Sequence, residues 1–210
     1  MIDLQIDTVL KELEVWGSEN DRIQTDRSLK MLNLERETAE MVRALIVGRQ
    51  PQRILEIGTS NGYSTIWLAA SVPPGGRVTS IDRDLRKLEM AKKNLERAGL
   101  LGRVELLLGN ASEIIAGIDG PIDVAFFDAD RLSAPEQLAL LLPKLSVNAL
   151  VLADNVLSHP EEIAGYLAAI QELPEFEHTI VSVGKGLSVA YRSAYPMMLA
   201  ATADQDDRRR

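Results

Sequence analysis

Eleven residues, Ile54–Ser64 (ILEIGTSNGYS), constrain the fold of this chain more than any other stretch. Ile54, Leu55 and Ile57 make the short apolar run of a buried parallel strand. Gly58 and Gly62 bracket a turn, and Tyr63–Val72 then carries helical spacing through Ile66, Ala69 and Ala70 until Pro73-Pro74 stops it. Strand, glycine turn and helix form half of a doubly wound α/β sheet. The glycines let ligand atoms approach the backbone where a Cβ would intrude, and the helix N-terminus leaves N–H groups free. About 20 residues past Gly62, closing the next apolar run (Val78–Ile81), stands Asp82, where such sheets bind a ribose.

Two other motifs overlap this turn. Gly58-Thr-Ser60-Asn-Gly62 matches G-x-S-x-G, the nucleophile elbow of hydrolases. That elbow needs an earlier strand to supply an oxyanion donor, whereas the upstream residues read as helix. Its serine would also need His159 or His178 as base. A dinucleotide site requires G-x-G-x-x-G, and here Ser60 and Tyr63 stand at the second and third glycine positions.

The rest of the chain repeats strand and helix without a linker or a fixed-period repeat. Ile2, Ile6, Val9, Leu10, Leu13 and Trp16 predict an amphipathic N-terminal helix, with Gly17–Asp21 as a polar break. A second helix is expected over Glu35–Val47. Strands follow at Val78–Ile81, Val104–Leu108, Ile122–Phe127 and Ala149–Ala153, with helices at Leu85–Ala98, Glu113–Ile118, Pro135–Leu145 and Pro160–Leu173. Thr179–Val183 and Leu187–Arg192 read as a hairpin joined through Gly184-Lys-Gly186. This order predicts one domain over residues 1–200, with a helical cap (1–50), an α/β core (51–195) and a frayed tail (201–210).

Composition narrows the function. With no cysteine and two histidines, thiolate chemistry is excluded and a zinc site disfavoured. A net charge of −8 argues against a nucleic-acid partner. No apolar run approaches a membrane span, and the start MIDLQIDTVLKELE lacks the marks of a secretory leader, so a cytoplasmic protein is expected.

Strand after strand ends in a polar or glycine cluster: Gly58–Gly62, Asp82, Gly109-Asn110, Asp128/Asp130 and Asp154/Asn155. In an open parallel sheet these ends converge on one crevice. A lone Asp there is commonly a cap or turn former. Carboxylates gathered along one rim are costly to bury without cations.

Together, Ile54–Thr65, Val78–Asp82, Gly109–Ala111, Phe127–Arg131, Val151–Asn155 and Gly186–Arg192 resemble the metal-dependent O-methyltransferase family of caffeoyl-CoA and catechol O-methyltransferases. The resemblance implies a class I methyltransferase fold: a Rossmann-like, doubly wound, seven-stranded and mostly parallel sheet, with an antiparallel C-terminal pair and N-terminal helices. It implies S-adenosylmethionine as cofactor, a small aromatic hydroxyl acceptor and a homodimer. Residues matching Glu56, Gly58, Ser60 and Ser64 hold the methionine end, with Gly62 and Tyr63 in the same turn. Asp82, with Arg83 beside it, takes the ribose, Asn110 and Ala111 lie by the adenine, and Asp128 and Asp130 flank the cofactor. Asp128, Asp154 and Asn155 match the metal ligands, a hard donor set suited to Mg²⁺, with Mn²⁺ or Ca²⁺ as substitutes. The family's catalytic lysine is Arg131 here. An arginine stays protonated, so it stabilises an oxyanion rather than acting as a base. His159 reads first as a solvent-facing histidine at a helix start, with the missing base as its alternative. Arg131 also leaves open a methyltransferase of a non-catechol acceptor without metal, and a non-catalytic S-adenosylmethionine-binding module is the third possibility.

Overall fold

The structure is a computed structural model and describes residues 2–193, so the expected tail lies outside the described residues. Seven strands form one sheet in the order β3-β2-β1-β4-β5-β7-β6. They are β1 (Arg53–Ile57), β2 (Arg77–Asp82), β3 (Val104–Leu108), β4 (Ile122–Phe127), β5 (Leu145–Ala153), β6 (Phe176–Val181) and β7 (Leu187–Arg192). The first five run parallel, and β7 pairs antiparallel with both β5 and β6. The seven-stranded doubly wound fold expected from the sequence is therefore the observed one.

Because successive strand residues face opposite ways, the apolar run of β1 feeds two cores. Ile54, Val78, Val124, Phe126 and Leu152 pack under α1 (Leu4–Ile23), α2 (Arg36–Arg49), α3 (Tyr63–Ala69) and α4 (Leu85–Arg97). Leu55, Ile57, Ala125, Phe127 and Val151 face α5 (Ala111–Gly117), α6 (Ala134–Leu141) and α7 (Pro160–Gln171). Sequential β4 and β5 are neighbours, which sets the strand ends bearing Asp128 and Asp154 side by side.

Four expectations need correction. Helix α1 runs through the supposed break to Ile23. Gly17 is a packing site: a Cβ there would collide with the Asn33 side chain, whose Nδ2 donates to the Leu13 carbonyl at 2.9 Å. Asn20 and Asp21, still helical, hold the returning chain. Asn20 Nδ2 donates to Leu29 O at 3.0 Å, and Asp21 accepts from the N–H groups of Met31 and Leu32 at 2.6 and 2.7 Å. Helix α6 ends at Leu141 rather than Leu145, because Pro143 carries no N–H and its ring opposes a continuing helix. β5 starts at Leu145, and an irregularity in its pairing with β4, with Asn148 in the left-handed region (φ 67°), absorbs the extra residues. β6 starts three residues earlier than expected, at Phe176.

Candidate functional site

Backbone hydrogen bonds continue past the strand ends and align the rim. Gly109 N–H donates to Asp82 O, Gly58 N–H to Ile81 O, Asp128 N–H to Ile57 O and Asp154 N–H to Phe127 O, all at 2.9–3.0 Å. Gly58, Asp82, Asp128 and Asp154 thus stand in one row across β2-β1-β4-β5. The row passes the point between β1 and β4 where strand order reverses, the position at which open α/β sheets bind ligands.

Within the β1–α3 turn, a Cβ on Gly58 (φ 104°) would collide with the Asp128 carbonyl oxygen, and one on Gly62 (φ 87°) would press on Ala91 of α4 at 3.0 Å. Protein packing alone therefore accounts for both glycines, which corrects the expectation that they clear space for a ligand. Ser60, at φ 48°, donates its N–H to Asp82 Oδ2 at 2.8 Å and its hydroxyl to Met31 O at 2.8 Å. The turn is thereby tied to β2 on one side and to the residue 29–32 segment on the other. That bonding also removes the nucleophile-elbow reading, since neither histidine reaches Ser60: His159 Nδ1 bonds the Ser158 hydroxyl and His178 Nε2 the Ser188 hydroxyl.

Glu56 is fully buried on the α1–α4 face. Its Oε2 accepts from Thr65 and Ser80 hydroxyls at 2.5 Å each, while Oε1 is buried without a partner. Burial pushes its pKa up to about 7 against the hydroxyls of Ser64, Ser80 and Thr65, with the Asp82 charge adding to the rise.

The second half of the site is a cleft of about 20 Å³ lined by Asp128, Ala129, Asp130, Arg131, Asp154 and Asn155, among others. That volume holds roughly one water-sized guest. Asp154 is 4% exposed, Oδ1 is buried without a partner, and Oδ2 accepts from Asn155 Nδ2. Asn155 sits in the left-handed region (φ 63°). Burial pushes the Asp154 carboxyl up to about 7, with Glu35 raising it further and Lys185 and Arg131 opposing. Asp128 is raised well above the usual carboxylate range by burial, then by the charges of Asp154, Glu56 and Glu35. The carboxylates crowd one another, and the crowding favours a cation. Two carboxylates, an amide oxygen and one orphaned buried oxygen fit a hard divalent ion. Among the described residues no group of three or more His, Cys, Asp or Glu side chains forms a metal cluster, as expected for a set whose third member is an amide.

Several expected residues lie elsewhere or are otherwise engaged. Tyr63 is buried under α1, its hydroxyl donating to Glu14 Oε1 at 2.7 Å, so its phenol belongs to the core and not to the crevice. Asn110 caps α5, accepting from the N–H groups of Ser112 and Glu113, and Ala111 opens that helix. Asp130 closes a local turn through Ser133 and Leu132, and Arg83 is exposed. Arg131 does line the cleft; its side chain is 11% exposed, one nitrogen donates to Glu162 Oε2 at 2.9 Å, and Nε is buried without a partner. His159 stands at the start of α7, pairs with Ser158 and is not among the cleft-lining residues, which favours the helix-start reading over that of a base. Glu35 lies in the Glu35–Thr38 segment that resembles the family's stretch before the first glycine motif, and sequence reasoning missed its partner Lys185; the two are ion-paired at 2.5 Å and within electrostatic reach of Asp154.

A family model described as O-methyltransferase matches residues 8–172. The chain belongs to the O-methyltransferase family. Among relatives, this family member is similar to the catechol O-methyltransferase of Niastella koreensis, 38% identical over 112 residues that cover 51% of each chain. It is equally similar to that of Mycobacterium tuberculosis, 38% identical over 109 residues, 51% of this chain and 50% of the other. The chain thus spans about half the length of the curated relatives it matches. Among solved structures it resembles an O-methyltransferase from Bacillus cereus in complex with SAH (TM-score 0.78, 26% identity, 89% and 91% of the two chains). It also resembles TomG from Streptomyces achromogenes in complex with SAM (TM-score 0.77, 25% identity, 92% and 91%). The seven-stranded, mostly parallel sheet with its antiparallel C-terminal pair is the class I methyltransferase fold that the resemblance implies. Among the described residues, no helix is long and apolar enough to cross a membrane.

Proposed function

We propose that this chain transfers a methyl group from S-adenosylmethionine to a hydroxyl of a small aromatic, catechol-like acceptor, assisted by a divalent cation at Asp128, Asp154 and Asn155. The observation that carries the reading is the row of carboxylates at the β1, β4 and β5 ends, with Glu56 Oε1 and Asp154 Oδ1 both buried and unpartnered. Such oxygens are costly unless cationic or N–H donors face them. A sulfonium and an ammonium meet that need on the Glu56 side, and a divalent ion meets it on the Asp154 side. The names of the relatives, catechol O-methyltransferases, and the SAM and SAH held by the structural neighbours support the same assignment.

In this reading each residue has a bounded task. Asp82 keeps a lone pair on each oxygen beyond its bonds to Ser60 and Asp84, enough to receive ribose hydroxyls. Ser60 and Ser64 fix the turn beside it. A divalent ion held by Asp128, Asp154 and Asn155 would act as a Lewis acid and lower the pKa of a hydroxyl lying against it. Arg131 stabilises developing negative charge on that oxygen through its unshared N–H groups and accepts no proton. Positioning of oxygen and methyl carbon in line supplies much of the rate.

Arg131 favours one rival: a fixed cation at the cleft substitutes in part for a metal ion, so methyl transfer to a non-catechol acceptor proceeds without one. Incubation with S-adenosylmethionine and a panel of aromatic diols tests the assignment. S-adenosylhomocysteine and methylated diol should appear in equal amounts, and cofactor binding with no product from any hydroxylated acceptor would refute it.

A further inference from the structure

The loop between β6 and β7, residues 182–186, packs against the residues that follow Asn155, a residue that lines the cleft. Leu157 N–H donates to Lys185 O at 2.9 Å and Val156 N–H to Gly186 O at 3.1 Å, so the loop is pinned to the residues that follow Asn155. Gly184 (φ 52°) fits against Thr38 and Glu35 where a Cβ would collide, and Gly186 (φ 93°) does the same against Leu157. The backbone carrying Lys185 is therefore held on both sides. It also lies beyond the residues matched by the family model.

The Lys185 ammonium meets Glu35 Oε1 at 2.5 Å, yet its side chain remains 52% exposed. An ammonium has three donors, and one carboxylate oxygen occupies only part of that capacity. An ion pair this exposed contributes little stability, so exchanging partners costs little. The other cation of the cleft, Arg131, is nearly buried, holds Glu162, and in the methyl-transfer reading turns its remaining N–H groups to the reacting hydroxyl oxygen. Everything else charged around the cleft (Asp128, Asp154, Glu35) repels an anion. Lys185 is thus a cation held beside an otherwise acidic site, within electrostatic reach of Asp154 and already paired with a carboxylate.

We propose that Lys185 determines acceptor specificity by pairing with a carboxylate on the acceptor ring while the ring hydroxyl lies at Asp128, Asp154 and Asn155. The inference rests on the methyl-transfer reading for where the acceptor sits. The acceptor class is therefore a hydroxylated aromatic acid rather than a neutral catechol. Glu35 holds the same ammonium when the site has no acid in it.

Calorimetric titration of the S-adenosylhomocysteine-loaded protein, with Mg²⁺ present, compares 3,4-dihydroxybenzoate with 3,4-dihydroxybenzamide. Wild type should bind the acid about tenfold tighter, with the preference shrinking at high salt. Lys185→Met should abolish the preference and Lys185→Arg should keep it, while the melting temperature stays unchanged. In turnover, Lys185→Met should raise KM for the acid and leave kcat intact. Equal affinities in wild type, binding of neither compound, or an unchanged preference in Lys185→Met would each overturn the proposal. Methylation of both diols with equal affinities would sink the role of Lys185 and leave methyl transfer standing. A Lys185-dependent preference without methylated product would do the reverse.

Discussion

Replacing Glu56 with glutamine should make the ligand-free protein gain stability at alkaline pH while it loses cofactor affinity. A carboxyl raised from about 4.3 to about 7 is held against ionisation by about 3–4 kcal/mol, at about 1.4 kcal/mol per tenfold change. Below about pH 4 the side chain is neutral in folded and unfolded chains, so pH has no leverage through it. Between about pH 4.3 and 7 the unfolded chain has lost the proton and the folded chain keeps it, so stability falls as pH rises. Above about pH 7 both are ionised and the loss is complete. In Glu56→Gln the carbonyl can still accept from Thr65 and Ser80, but two amide N–H donors enter the place of Oε1, where the Ser64 hydroxyl can accept only one. An unsatisfied buried donor costs about 1–3 kcal/mol at every pH. The variant should therefore be less stable than wild type near pH 5 and equal or better near pH 8, the difference between the two swinging by about 3 kcal/mol. Urea denaturation of the ligand-free proteins at half-unit pH steps measures this directly. Parallel stability–pH curves for the two proteins would show that Glu56 ionises freely in the fold, and the electrostatic account of the crevice would fail.

Asp82→Ala should weaken S-adenosylhomocysteine binding by tenfold or more, because charge-assisted hydrogen bonds contribute about 1.5–3 kcal/mol each and because Ser60 loses its tether; unchanged affinity by calorimetry removes Asp82 from the site. Gly58→Ala places a Cβ against the Asp128 carbonyl at φ 104° and should cost at least about 2 kcal/mol, read as a lower urea midpoint; an unchanged midpoint would contradict the close approach of β1 and β4. Asp154→Ala removes a buried, uncompensated carboxylate, so the ligand-free chain should be no less stable at pH 8, yet metal-stimulated turnover should vanish while S-adenosylhomocysteine affinity stays within about tenfold, about 1.4 kcal/mol.

Residues whose role depends on local pattern were legible in the sequence. Ile54, Leu55 and Ile57 announce a strand buried on both faces, and sequential strands usually pair, so Asp128 and Asp154 could be set side by side before any coordinates. What fails locally is anything decided by a distant partner. Gly17 reads as a helix stop until Asn33 is seen to cover it, and Gly58 reads as ligand clearance until the Asp128 carbonyl is found there. Tyr63 and Asn110 lie in motif positions, but Glu14 and the α5 N–H groups claim them. Glu35 and Lys185 are separated by most of the chain, and no spacing rule joins a residue before the first strand to one in the last hairpin. Arg131, by contrast, departs visibly from the family pattern, and it lines the cleft.

Methyl transfer to an aromatic diol by wild-type protein, with and without a chelator, is the most direct measurement of all. Equal amounts of S-adenosylhomocysteine and methylated diol should form, cease in excess chelator and return on adding Mg²⁺ or Mn²⁺. Full turnover in excess chelator would contradict the assignment of Asp128, Asp154 and Asn155 as ligands of a working cation.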